Sequence, residues 1–298
     1  MVGDRARGEL TGRRDPLTEA LPVLRCPHCG GALSRAGAVV RCERGHAFDV
    51  ARQGYLSLLA GAAPAAPGDT APMVAARAVF LAGGAFDPLR DAVAETVARV
   101  ADRAGDGLVV DIGAGTGWYL AGALDRLPGR LGLALDISKP ALRRAARAHP
   151  RIAAVGADAW RALPLGDGCA AAVLGVFAPR NAAEAARVLV PGGALVVSTP
   201  TPRHLRELVE PLGLLGVDAH KQQRLAAQLE GPLTLDHREE HEWAMTLDRD
   251  AVAALAGMGP SAFHADRDDR ARRIAGLAEP AEVTASVAVS VYGRRAPR

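Results

Sequence analysis

Lysine, cysteine and aromatic residues are all scarce in this chain of 298 residues, and no long apolar run interrupts it. Each shortage excludes something. The longest apolar stretch, Cys169 to Ala178, is too short to cross about 30 Å of hydrocarbon, and the first twenty residues contain no apolar signal core. The sequence therefore predicts a protein without a membrane partner that works in the cytoplasm. Of the four cysteines, three crowd into positions 26 to 42, so there is no framework of pairs for a disulfide-stapled secreted domain, and metal binding is the better reading. Lysine is confined to Lys139 and Lys221 while arginine and alanine abound, which reads as the coding bias of a GC-rich genome.

What is present divides unevenly. The formal charge is +3, and residues 1 to 60 carry the whole surplus, with nine arginines against six acids. Such a basic segment suits a nucleic-acid partner, although a solvated basic face would look the same. Residues 1–20 are polar and aperiodic, which predicts a flexible leader. Residues 21–60 hold the cysteine cluster. A Pro-, Gly- and Ala-rich stretch at 61–72 marks the domain boundary, and the linker is expected to run to residue 85. From Phe86 to the C-terminus, short apolar strands (LVVDI at 108–112, LGLALD at 131–136, AAVLGVF at 171–177, ALVVST at 194–199) alternate with apolar-faced helices. That rhythm predicts an α/β fold with a doubly wound parallel sheet. Beyond Pro202 the pattern weakens: HLRELVEPLGLL and DAHKQQRLAAQL read as helices, LTLDHREEHEWAMTL as extended or hairpin chain, and EVTASVAVSVYG as a closing strand.

The strand at 108–112 runs into Gly113-Ala114-Gly115-Thr116-Gly117, a turn whose glycines let the backbone bend tightly and approach a ligand. The spacing is GxGxG, not the GxGxxG that seats a dinucleotide pyrophosphate, and Asp111 directly precedes it. Asp136 ends the next strand, where a carboxylate can accept the two hydroxyls of a ribose. Asp158 follows the third, near where an adenine amino group would lie. Three acids at successive strand ends form one crevice, although each alone could instead cap a helix. The trio resembles the class I (Rossmann-like) S-adenosylmethionine methyltransferases.

Cys26, Cys29, Cys42 and His46 give the spacing C-x2-C-x12-C-x3-H. Three thiolates and one imidazole close a tetrahedral zinc site with no open position, so a structural zinc ion in a small ribbon-like domain is expected. His28 lies inside the first knuckle and is expected to face solvent or RNA. Cys169, alone at a strand start, reads as a small core residue.

Together these parts resemble the bacterial 23S rRNA (guanine-N1)-methyltransferases, and most closely the branch conferring resistance to tylosin, mycinamicin and related macrolides. The resemblance covers the chain after about residue 20. It rests on CPHC and CERGH, FDVARQGYLSLL, GDTAPMVAARAVFL, GAFDPLRDAV, VVDIGAGTG, LDISKPALRRAARAHP, VFAPRNAAEAARVLVPGG and STPTPRHLRELV. It implies zinc on Cys26, Cys29, Cys42 and His46. It also implies cofactor contacts from Phe86, Gly115, Thr116, Leu135, Asp136 and His204, beside Asp111, Gly113, Gly117 and Asp158 from the crevice. Phe86 stands where the family often has tyrosine, which keeps stacking and removes a hydroxyl.

The implied reaction is methylation of guanine N1 in a hairpin loop of 23S rRNA. Residues 21–60 would recognise the RNA, with Arg25, Arg35, Arg41, Arg44 and Arg52 gripping it, and residues 86–298 would form the catalytic domain, with substrate-side elements in 202–282. A homodimer would present two basic modules to one RNA. Phe177, Pro179 and Asn181 end the fourth strand and are the candidate target-base pocket, with helix capping as the other role open to Asn181. No residue declares itself as the general base. The alternative is a small-molecule, natural-product methyltransferase that uses the zinc module as a lid or dimer contact.

Overall fold

The computed structural model describes residues 15–59, 61, 67–216, 228–229, 231–259 and 267–294. Helix α1 (Pro16–Ala20) is capped by Asp15, whose carboxylate accepts from the Leu17 amide, and it buries Leu17 and Ala20. The expected flexible leader is thus corrected from Asp15 onward: an Asp-Pro helix start and one apolar face suffice to dock it. Three short antiparallel strands follow, β1 (Leu33–Ala36), β2 (Val39–Cys42) and β3 (Ala47–Asp49), and make the ribbon.

Strand β4 (Tyr55–Ser57) then leaves the ribbon and pairs in parallel with β7 (Ile152–Gly156) as an edge of the main sheet. The main sheet has eight strands in the order β10-β11-β9-β8-β5-β6-β7-β4. Strands β5 (Leu108–Ile112), β6 (Gly132–Asp136), β7, β8 (Ala170–Val176) and the long β9 (Leu189–Pro200) run parallel. Their near-continuous burial is what a sheet covered on both faces demands. β11 (Ala281–Arg294) is antiparallel to both β9 and the outer β10 (Leu233–Leu247). β10 carries its charges on the sheet's edge, where they discourage pairing with another chain.

Helices cover both faces. α2 (Ala71–Ala82), capped by Thr70, arises inside the expected linker of 61–85, which is therefore not a passive spacer. It packs on α8 (Arg249–Met258), itself capped by Asp248. α3 (Asp87–Ala104), α4 (Trp118–Asp125) and α5 (Lys139–Ala148) alternate with the strands, and α6 (Ala182–Val188) and α7 (Arg206–Leu212) follow β8 and β9. α9 (Arg267–Ala275) precedes β11. The helix expected over DAHKQQRLAAQL lies mostly outside the described residues.

One apolar cluster gathers α2, α3, α4 and α8 on one sheet face. The other joins Leu17, Leu24, Val40 and the ligand cysteines Cys26 and Cys42 to Val110, Leu133 and Val155 on the opposite face. The ribbon is thus seated on the main sheet. Leu24 bridges to Leu165, and the Arg25 amide donates to the Pro164 carbonyl at 2.9 Å. A fully buried leucine stabilises by roughly 1.5–3 kcal/mol, so Leu17, Leu24 and Leu56 together hold this seam firmly. No described helix is long and apolar enough to cross a membrane.

Candidate active site and metal centre

The metal centre follows from two knuckles that end in glycine. Gly30 and Gly45 both adopt positive φ, and their amides close onto the carbonyls of Cys26 and Cys42 at 2.8 and 2.9 Å. These turns aim the side chains inward. Sγ of Cys26, Cys29 and Cys42 and a ring nitrogen of His46 all lie within 4.8 Å of one another. The Cys29–Cys42 sulfurs are 3.7 Å apart, and Nδ1 of His46 is 3.3 Å from Cys42 Sγ and 3.5 Å from Cys26 Sγ. Zinc bond lengths of about 2.0–2.3 Å in a tetrahedron place neighbouring donors roughly 3.5–3.8 Å apart, so the donor set fits the ion. His28 is exposed, stacks on Phe48 at 5.9 Å, and packs against the His46 ring. Cys169 is buried beside β8 and is not one of the four grouped donors.

At the carboxyl edge of the sheet, Gly113, Gly115 and Gly117 all take positive φ, as the turn from β5 into α4 requires. A Cβ on Gly113 would come within 2.8 Å of Ala178, and one on Gly117 within 3.1 Å of the Ala145 backbone. Only glycine lets the loop thread between them. The Leu135 carbonyl accepts from the amides of Gly113 and Ala114, so Leu135 acts through its backbone while its side chain fills the core. Asp136 Oδ2 accepts from the Gly115 amide and Oδ1 from the Ser138 amide, both at 2.8 Å. Each oxygen keeps a second lone pair, so the carboxylate is aimed and still able to accept. Thr116 is buried beside this turn.

Asp111 is buried on β5, and burial together with the neighbouring Asp136 carboxylate raises its pKa well above the usual carboxylate range. Burial also raises that of Asp136, against the two amide hydrogen bonds that lower it. Asp158 accepts from the Trp160 amide at 3.0 Å and pairs with Arg161 at 3.3 Å. Trp160 itself is exposed. An edge with three acids and three left-handed glycines fits a cofactor that bears ribose hydroxyls and positive charge.

Beside the glycine turn stands an aromatic group. Phe86 is buried at the start of α3 and lies 6.0–6.4 Å from Trp243, His204 and Phe177. Trp243 Nε1 fixes it by donating to the Ala85 carbonyl. The His204 ring is 5.8 Å from Phe177, and its Nδ1 accepts from the Ser286 amide at 3.2 Å. Burial pushes the His204 pKa down to about 4, so the ring is neutral, with its proton on Nε2.

Phe177 is 43% exposed, and among the described residues it and Leu205 are the non-glycine positions with positive φ. Backbone strain at the ends of β8 and at α7 thus flanks the Phe177–His204 pair. Pro179 is also exposed in this loop. Asn181 accepts at Oδ1 from the Glu184 amide and donates from Nδ2 to the Arg161 carbonyl, so it caps α6, the other role the sequence left open.

The basic module also sorts itself. Arg25 donates to the carbonyls of Pro22 and Leu24, and Arg35 pairs with Asp15 and donates to Gly37. Both are hydrogen-bonded within the fold. The side chains of Arg41, Arg44 and Arg52 are exposed and make no hydrogen bond or ion pair among the described residues. Sequence reasoning missed Asp69, Arg77 and Trp243 at the cofactor edge, because no local spacing ties them to the glycine turn.

A family model described as RlmA, N-terminal, a zinc ribbon, matches residues 24–61, and one described as Methyltransferase domain matches residues 109–193. The chain is 50% identical over 268 residues, 90% of this chain and 95% of the relative, to the 23S rRNA (guanine(748)-N(1))-methyltransferase of Streptomyces fradiae. It is also 50% identical over 290 residues to a provisionally named 23S rRNA (guanine-N(1)-)-methyltransferase of Micromonospora griseorubida, covering 92% of this chain and 98% of that one. A similarly named Bacillus subtilis protein is 29% identical across 83% of this chain and 89% of its own length.

Proposed function

The chain belongs to the 23S rRNA (guanine-N1)-methyltransferase family, and from that premise we propose that it methylates N1 of a guanine in a hairpin loop of 23S rRNA in the cytoplasm, giving resistance to macrolides. The observation that carries this reading is identity of 50% along nine-tenths of the chain to an enzyme named for that reaction, with ribbon and catalytic domain both included.

S-adenosylmethionine supplies an electrophilic methyl group on a sulfonium. The protein's own task is alignment, which can contribute roughly 7–11 kcal/mol when a bimolecular step becomes effectively unimolecular. Asp136, oriented by Gly115 and Ser138, would hold the ribose hydroxyls and Asp158 would serve the adenine end, while Asp111, buried behind the glycine turn with its pKa raised by burial and by Asp136, would ionise as the cationic ligand binds. Phe177, pushed outward by its left-handed backbone, offers a face on which an unstacked guanine rests, with Pro179 beside it and Phe86 and His204 behind. Because guanine N1 carries a proton at neutral pH, that proton must pass to water or to a group at this pocket as the bond forms. Arg41, Arg44 and Arg52 give the ribbon a surface for RNA phosphates.

Transfer of labelled methyl from S-adenosylmethionine to protein-free 23S rRNA lacking its native methylations, followed by mass-spectrometric mapping, tests this. One N1-methylguanosine in a hairpin loop is the expected product. Absence of label in any RNA, with cofactor still bound, would shift the assignment to a small-molecule substrate.

A further inference from the structure

The stretch between the ribbon and α3 reads as a linker, yet it delivers two charged side chains to the cofactor edge. Gly68 is pressed so closely on the residues after Asp136 that a Cβ would lie 2.7 Å from Ile137 Cγ2 and 3.1 Å from the Ser138 amide. The next carbonyl, that of Asp69, accepts from Ser138 Oγ at 2.6 Å. Two turns along α2, Arg77 reaches back: its guanidinium pairs with the Asp69 carboxylate and donates to the Met258 carbonyl at 2.9 Å. A Cβ on Gly115 would stand 3.2 Å from Arg77 Nη1. The same cation acts electrostatically on Asp136 and on Tyr119, just past the glycine turn.

Asp69 joins Asp111, Asp136 and Asp158, so four acids line this edge. The amino-acid end of S-adenosylmethionine carries an ammonium, which such an edge welcomes, and a carboxylate, which it repels unless a cation meets it. Arg77 is the cation placed at the turn. Its side chain is 26% exposed, and a guanidinium has five N–H donors, more than Asp69 and Met258 consume.

We propose that Arg77 binds the α-carboxylate of the cofactor's amino-acid moiety, with Asp69 and the Met258 carbonyl positioning the guanidinium over Gly115. This rests on reading the glycine turn and Asp136 as the S-adenosylmethionine site.

Calorimetric titration of the full zinc-loaded chain with S-adenosylmethionine and with its decarboxylated form, which keeps ammonium and sulfonium and lacks only the carboxylate, tests it. Arg77→Gln is expected to weaken S-adenosylmethionine binding by about 10- to 100-fold, the range for a hydrogen bond between charged groups, and decarboxylated cofactor by less than about threefold. Equal losses for the two ligands would mean that Arg77 only ties α2 to α8, and would overturn the proposal. Wild-type protein that binds neither would instead overturn the cofactor-site reading itself. Should Arg77→Gln fail to fold, Asp69→Asn decides: it keeps the guanidinium charge, so preference for the carboxylate-bearing ligand should persist or grow. Loss of that preference would overturn the assignment.

Discussion

In the ribbon, donors separated by at most 20 positions converge on one point; at the cofactor edge, Arg77 is joined to a carbonyl 181 positions away. Both regions depend on left-handed glycines that bend the chain and aim polar groups. They differ in what closes the structure. The ribbon's three sulfurs and imidazole are complete as a donor set and face inward, so the metal is part of the fold. The cofactor edge buries its acids, and burial first, with neighbouring carboxylates adding to it, raises the pKa of Asp111 and of Asp136. A site meant to stay filled is built for stability, whereas one that must exchange its ligand holds electrostatic tension that the ligand relieves.

Removing the metal should have the largest effect. Structural zinc contributes on the order of 10 kcal/mol in zinc-finger peptides, far more than the ribbon's small core can replace. Cys42→Ser is expected to abolish zinc retention and amide-exchange protection across residues 24–59, while β5 and β6 stay protected and cofactor still binds. Exchange mass spectrometry with parallel zinc analysis checks this. Loss of protection in β5 would show that ribbon and cofactor edge unfold as one unit, which would break the contrast, since Leu24 and β4 couple the ribbon to the sheet.

A smaller effect separates the regions by partner. Replacing Arg41, Arg44 and Arg52 together with glutamine should weaken RNA binding and flatten its logarithmic salt slope by about 2, taking roughly 0.7 per lost phosphate contact on single-stranded RNA. Cofactor affinity should not move. The corresponding change at Arg25 and Arg35 should lower the melting temperature instead, because both are hydrogen-bonded within the fold. An unchanged salt slope in the triple variant would remove the ribbon from the RNA interface.

Legibility in the sequence followed the same division. The zinc ligands, the glycine turn and the strands β5 to β9 could be read because each is encoded within a few residues by spacing or apolar runs. Asp136 was legible because strand ends recur at regular intervals in a doubly wound sheet. Asp69 and Arg77 were not, since what gives them meaning is the packing of α2 on α8, a long-range contact that no local pattern announces. The docked helix α1 and the pairing of β4 with β7 escaped for the same reason. Short segments with one or two apolar residues look like leader or linker until a partner surface covers them. For Asn181 the sequence offered two roles, base contact and helix cap, and the hydrogen bond from the Glu184 amide shows the cap.

The smallest effect tests the tension at Asp111 directly. An acid whose folded-state pKa is raised leaves the protein most stable while protonated, below the unfolded value near 3.9, and stability is lost as pH rises through the folded value. Asp111→Asn should therefore melt above wild type without cofactor, with a gap that widens toward higher pH, at about 2–4 °C for each kcal/mol in a chain of this size. A ligand bearing ammonium and sulfonium favours the ionised carboxylate. S-adenosylmethionine should then raise the melting temperature of wild type more than that of Asp111→Asn, and its affinity for wild type should grow with pH as the proton is displaced. Scanning calorimetry from pH 5 to 8, with and without cofactor, reads both trends. A variant that is less stable than wild type at pH 8 would mean that the Asp111 charge is already compensated within the fold, and the cofactor edge would then hold no more tension than the ribbon.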